Sequence, residues 1–159
     1  MEPSSALASR IADTLLDAVN DQQSALVDLT SALIACRTDS QSEDNPEFPT
    51  EARRCQEIVA SWLADLGAQV QRWEEPPRYP VVAGMLPGSG SGRSLAFNGH
   101  VDVVPVGNAS AWTHDPWVGE SVSGRVWGRG AADMKGGVAC ALVAMRAIRE
   151  SGIALAGDV

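Results

Sequence analysis

The chain has 159 residues, a length typical of one domain, and its 45% hydrophobic content is sufficient for a core. Twenty acidic side chains against twelve basic ones give a formal net charge of -8. No run of Lys or Arg forms a basic stripe, so nucleic acid is not an expected partner; the acidity serves solubility, and carboxylates also serve metals.

The N-terminal stretch "MEPSSALASRIADTLLDAVNDQQ" lacks a basic start and a continuous apolar core, so it is not expected to be a signal peptide. Residues from about Ser9 to Ala35 are helix-rich, with Leu26, Leu29, Leu33 and Ile34 at helical spacing. Asp39 to Pro49 reads as a polar, Pro-containing loop. Thr50 follows as a predicted N-cap, with Glu51 in the first turn. Cys55, Ile58, Val59, Trp62, Leu63 and Leu66 then make a helical stripe, and Gly67 is the expected stop.

Ala68 to Trp73 is a candidate strand, "EEPPRYP" a loop, and Val81 to Leu86 a buried strand. "PGSGSGR" is a tight turn leading to a further strand. "VSGRVW" predicts a hairpin around Ser123-Gly124. A helix is expected from about Gly137 to Glu150, with Val138, Ala141, Leu142, Met145 and Ile148 inward, and Gly152 closes it. "GDV" resembles the start of another strand. The longest apolar run, "GGVACALVAM", is too short to span a membrane. The mixture of helices and strands favours an α/β fold, with a mixed, largely parallel sheet flanked by helices.

Two stretches carry chemistry. In "FNGHVDVVP" (Phe97 to Pro105) the strand period of two puts Phe97, Gly99, Val101 and Val103 on one face. The other face holds Asn98, His100, Asp102 and Val104, and Pro105 favours termination. An imidazole and a carboxylate thus sit side by side, either as polar residues facing water or as part of a site. In "WGRGAADMKGG" (Trp127 to Gly137) glycines surround Asp133 and Lys135 between a strand and a helix, where α/β proteins place ligands. The spacing fails both G-x-G-x-x-G and the Walker pattern, and a central Asp repels phosphate but suits a cation. The plainer reading is a turn with a capping Asp. Asp102 would orient the His100 ring or support a base, and Asp133 has two oxygens that can bridge two divalent ions. His100 plus one carboxylate is too few ligands for a closed site.

"GHVDVVP", "WTHDPWVGE" and "GRVWGRGAADMKGG", in that order and spacing, resemble the family of acetylornithine deacetylase, succinyl-diaminopimelate desuccinylase and carboxypeptidase G, which are dinuclear zinc amidohydrolases and peptidases. The resemblance runs from about Leu26 to the end and is strongest over Ser94 to Gly137. It implies that His100 is a ligand of one zinc, that Asp133 bridges both, and that Asp102 orients the site. It also implies a non-proline cis bond at Asp133-Met134. Two zinc ions, or cobalt, would activate a bridging water and polarise an amide carbonyl. The family's paired glutamates, its later acidic ligand, its late histidine and its lid or dimerisation domain have no counterpart up to Val159. The chain is therefore expected to be the N-terminal part, over residues 1–159, of an incomplete zinc-peptidase-like catalytic domain. The sparse cysteines, the N-terminal stretch and the short apolar run suggest a soluble, cytoplasmic protein, and the resemblance implies a parent that is a homodimeric hydrolase of N-acyl amino acids or small peptides. The alternative is an inactive fragment or binding module of such a hydrolase.

Other residues are weighed against plainer roles. His114 in "WTHDPW" falls outside the motif, which carries Trp112, Asp115, Pro116 and Trp117. The tryptophans are expected to pack or line a cleft rim. Cys36, Cys55 and Cys140 form no C-x-x-C pair, suit a reducing compartment, and are expected in the core. Lys135 is expected to cap or pair locally. No G-x-S-x-G elbow appears, which disfavours a serine hydrolase.

Overall fold

The computed structural model describes residues 3–40 and 45–159, so part of the Asp39–Pro49 loop lies outside the described residues. The N-terminal helical run is two helices, α1 (Pro3–Asp21) and α2 (Gln23–Ile34), broken at Gln22. In α2 the predicted stripe is buried at Leu29, Leu33 and Ile34. Helix α3 (Phe48–Asp65) starts two residues before the expected cap, because Pro49 occupies its first turn, where no amide donor is needed. Thr50 is therefore inside the helix. Cys55, Val59, Leu63 and Leu66 are buried, with Ile58 and Trp62 packed against them. Gly67, at φ 79°, stops the helix as expected.

Strands β1 (Gln69–Glu74) and β2 (Pro80–Met85) form an antiparallel hairpin, as do β3 (Glu120–Val122) and β4 (Arg125–Trp127). The second hairpin turns at Ser123 (φ 52°) and Gly124 (φ 74°), the paired positive φ values of a tight two-residue turn. β2 was expected to be buried; instead Ala83 and Met85 are exposed, because α3 covers only one face of the hairpin.

The expectation of a largely parallel sheet is corrected. Both ladders join neighbours in sequence through short loops, which dictates antiparallel pairing. Parallel pairing occurs between Asp39 and Val103. There the Val103 N–H donates to the Thr38 carbonyl at 2.8 Å and the Ser40 N–H to the Val103 carbonyl at 3.2 Å. Phe97 to Pro105 is accordingly an extended segment rather than a strand of a ladder. Its alternation survives where it meets the core, with Val101 and Val103 buried, but Phe97 is exposed.

Helix α4 (Gly136–Glu150) closes the core with Ala139, Leu142, Val143 and Met145, against Leu29 and Leu33 of α2 and Val59 and Leu63 of α3. Cys36 and Cys55 are buried there, but Cys140 is exposed, which corrects its expected place. It lies on the side of α4 away from Ala139 and Leu142. Leu86 exchanges backbone hydrogen bonds with Val159, at 2.7 and 3.0 Å, so the "GDV" stretch does pair. Mixed α/β architecture is thus observed, with three helices around one core and the extended segment carried along its edge.

Candidate metal centre

The two chemistry-bearing stretches meet. The pairing of Val103 with residues 38–40 fixes the end of the extended segment, leaving His100 and Asp102 on the face opposite Val101 and Val103. From the other side, β4 leads through Gly128–Gly130 into an irregular turn, Ala131–Lys135, that precedes α4. Its backbone departs from helical geometry at Asp133 (φ -133°, ψ 96°) and Met134 (φ -137°, ψ 27°), and the Asp133-Met134 peptide is cis. Gly130 enters the turn at φ 88°, and a Cβ there would stand 2.7 Å from Val103 Cγ1. Only glycine allows the turn to lie so close to the His100 segment.

The result is a row of three side chains. His100 Nε2 is 3.2 Å from Asp133 Oδ1. His100 Nδ1 is 3.0 Å from the Asp102 carbonyl oxygen and 3.4 Å from Asp102 Oδ1. Ser40 Oγ donates to Asp102 Oδ2 at 3.0 Å. A backbone carbonyl only accepts, so the ring donates from Nδ1–H. In the neutral imidazole that puts the Nε2 lone pair opposite a carboxylate oxygen, two acceptors 3.2 Å apart. The pair needs a positive charge in the gap, either a proton on Nε2 or a metal cation. The separation suits a metal: two donors on a zinc tetrahedron with bonds near 2.0–2.1 Å stand about 3.3 Å apart. His100 and Asp133 therefore fit a cation as a donor pair. Among the described residues no group of three or more His, Cys, Asp or Glu side chains gathers at metal-binding distance.

These residues line a cleft of about 300 Å³ together with Val104, Gly128, Arg129 and Ala132. His114 does not line it. It is 2.8 Å from Glu120 Oε2 through Nδ1 and stacks on Trp127, with ring centroids 4.6 Å apart. The expectation that the tryptophans pack or line a cleft rim is met in part: Trp62 packs against the core, and Trp112 and Trp117 lie beneath Arg129 and Arg37, whereas Trp73 is exposed.

Lys135 is fully buried. Its Nζ donates to the Cys36 carbonyl at 2.7 Å, just past the C-terminus of α2, where helix carbonyls attract cations. Burial holds its ammonium pKa below the ordinary lysine value. Sequence reasoning placed Lys135 in the motif but not in the interior. It also passed over Ser40, one hydroxyl in a polar loop with no signal to distinguish it, and Arg129, whose setting between two glycines was the available clue.

The sequence model of peptidase family M20/M25/M40 matches residues 96–159. An N-formyl-4-amino-5-aminomethyl-2-methylpyrimidine deformylase of Bacillus subtilis (strain 168) is 38% identical over 143 residues, covering 89% of this chain and 32% of the relative. A succinyl-diaminopimelate desuccinylase of Cereibacter sphaeroides (strain ATCC 17029) is 60% identical over 55 residues, 35% of this chain and 14% of the relative. The crystal structure of human carnosine dipeptidase 1 superposes with a TM-score of 0.77 at 28% identity, covering 87% of this chain and 31% of that one. The chain thus spans about a third of the length of the deformylase and of the dipeptidase that it matches.

Proposed function

We propose that this chain, whose residues 96–159 belong to peptidase family M20/M25/M40, forms part of a metal-dependent hydrolase of C–N amide bonds in N-acyl amino acids or small peptides. The observation that carries the reading is the approach of His100 Nε2 to Asp133 Oδ1 at 3.2 Å, with Nδ1 turned to Asp102. His100 and Asp133 would hold the metal, zinc or cobalt, and Asp133, with two carboxylate oxygens, would serve both ions of a dinuclear centre. Asp102 fixes the His100 tautomer through Nδ1, and Ser40 holds Asp102. Bound there, such ions would polarise an amide carbonyl and lower the pKa of water. The general base and the remaining ligands would come from the part of the relatives' length that this chain does not span, and the parent works as a cytoplasmic homodimer. The deformylase and desuccinylase likenesses support this reading, since both names describe removal of an acyl group.

The test is made in the complete parent, with zinc or cobalt supplied and N-formyl and N-succinyl amino compounds as substrates. Asp102→Ala is expected to lose about 10–100-fold in activity, the usual cost of removing a carboxylate behind a metal-bound histidine. Asp133→Ala loses more, because two cations then repel with no carboxylate between them. His114→Ala stays near wild type. Equal losses in Asp133→Ala and His114→Ala would overturn the ligand assignment.

A further inference from the structure

We propose that Arg129 makes the cleft an anion subsite, built to take a carboxylate; that the carboxylate belongs to the substrate rests on the hydrolase reading above. Arg129 lines the same cleft as His100, Asp102 and Asp133. Its backbone is fixed from both sides. The Arg129 N–H donates to the Pro116 carbonyl at 2.7 Å. A Cβ on the preceding Gly128 would stand 2.6 Å from Ile34 Cγ2, and one on the following Gly130 2.7 Å from Val103 Cγ1. The loop is thus pressed onto the core on either side of the arginine.

The guanidinium is held, and no described carboxylate pairs with it. Its Cζ lies 5.1 Å from the centroid of the Trp112 ring, and that ring is itself fixed by Nε1–H donating to the Val106 carbonyl at 3.0 Å. Arg53, Arg54, Arg72 and Arg146 each pair with a glutamate. Arg129 has no such carboxylate among the described residues, and its Nε is buried without an acceptor. A guanidinium lying over an aromatic face keeps its N–H donors in its own plane, at whose edge a planar carboxylate meets them two at a time. The neighbouring Asp102 and Asp133 bear on the group that binds: a carboxylate brings one negative charge to the guanidinium and is repelled less there than a phosphate that brings two.

The experiment uses the chain stripped of metal on a chelating resin, so that no metal recruits the anion and no dissolved chelator competes for the site, with succinate as the probe and succinamide as its uncharged counterpart. The readouts are calorimetry and the assigned indole N–H resonance of Trp112. Succinate is expected to bind saturably and shift Trp112, while succinamide does neither. Arg129→Gln weakens succinate about ten- to hundredfold, the range for one charge-assisted, paired hydrogen bond. Arg129→Lys, which keeps charge and loses the fork, weakens it by less and covers the case in which the Gln variant does not fold. Equal succinate binding in wild type and Arg129→Gln, equal shifts from succinamide, or no saturable binding to wild type would each overturn the proposal. The hydrolase reading fails separately: a parent without metal-dependent turnover would leave metal-free succinate binding untouched. A parent that turns over with unchanged KM in Arg129→Gln would keep the reaction and lose the anchor.

Discussion

Lys135 ties the turn that carries Asp133 to the end of α2, and it does so from the interior. Its ammonium donates to the carbonyl of Cys36, 99 residues away in sequence. Its stem packs beneath Gly130, where an added Cβ would meet Lys135 Cδ at 3.1 Å. Truncation removes two things, the packed methylenes and the donor to a buried carbonyl. Lys135→Ala is therefore expected to lose about 2–4 kcal/mol, the cost of a large-to-small change with an acceptor left unpaired. Lys135→Met keeps the stem and is expected to lose less, since removing a buried ammonium offsets part of the lost hydrogen bond. Urea denaturation of the three proteins checks the order; a Met variant less stable than the Ala variant would refute the packing argument. Neither the burial of Lys135 nor the exposure of Cys140 was legible in the sequence. Lys135 is buried by an element far away in the chain, and Cys140 shares its helix turn with Ala139 and Leu142 but points elsewhere. The approach of His100, Asp102 and Asp133 was foreseen from the motifs taken jointly: the His100-Val101-Asp102 spacing is local, but Asp133 lies in a separate stretch, and residue spacing alone left its place beside His100 open.

The hairpin of β3 and β4 and the turn after it show how far local sequence reaches at the level of elements. Ser123-Gly124 specifies a two-residue turn by backbone preference alone, so the hairpin could be read directly. The extended segment at Phe97 to Pro105 could not, because alternation reports which face is buried and not whether a neighbouring edge is present. Among the described residues Thr38 to Ser40 supplies that edge, near Val103. Two glycines separate these effects. Gly124 has φ 74° with nothing within 4 Å of an added Cβ, whereas Gly130 has φ 88° with Val103 Cγ1 at 2.7 Å. Gly124→Ala is expected to cost about 1–2 kcal/mol from the left-handed backbone alone. Gly130→Ala adds a clash with a core side chain, and about 1–3 kcal/mol more is expected from overpacking. Chemical denaturation that found the two variants equally stable would mean that the turn is free to move off Val103, and the placement of Asp133 beside His100 would lose its steric basis.

The whole molecule, finally, has a core but only a donor pair. Three helices enclose Leu29, Leu33, Val59, Leu63, Leu142 and Met145, so folding does not wait on a metal in the way a small zinc domain does. The centre, by contrast, offers His100 Nε2 and Asp133 Oδ1, and a catalytic zinc ordinarily takes three protein ligands. Both side chains are open to solvent, His100 at 48% and Asp133 at 87% exposure, so little desolvation strengthens their hold. The 159-residue chain is therefore expected to bind zinc or cobalt weakly and to hydrolyse no N-acyl amino acid by itself. Mass action makes this measurable. A ligand present at about 100 times its Kd stabilises a fold by about 2.7 kcal/mol. For a domain of this size that would raise the thermal midpoint by about 5–10 °C. With about 0.1 mM zinc, a micromolar site would give that shift, and the weak site expected here would leave the midpoint unchanged within about 1 °C. Calorimetry on the same sample gives the stoichiometry. A large shift, together with metal-dependent turnover that disappears in His100→Ala, would show that the chain assembles a full ligand set after all. Sedimentation would then reveal whether a second copy supplies it, since no third donor stands beside the pair among the described residues of one copy.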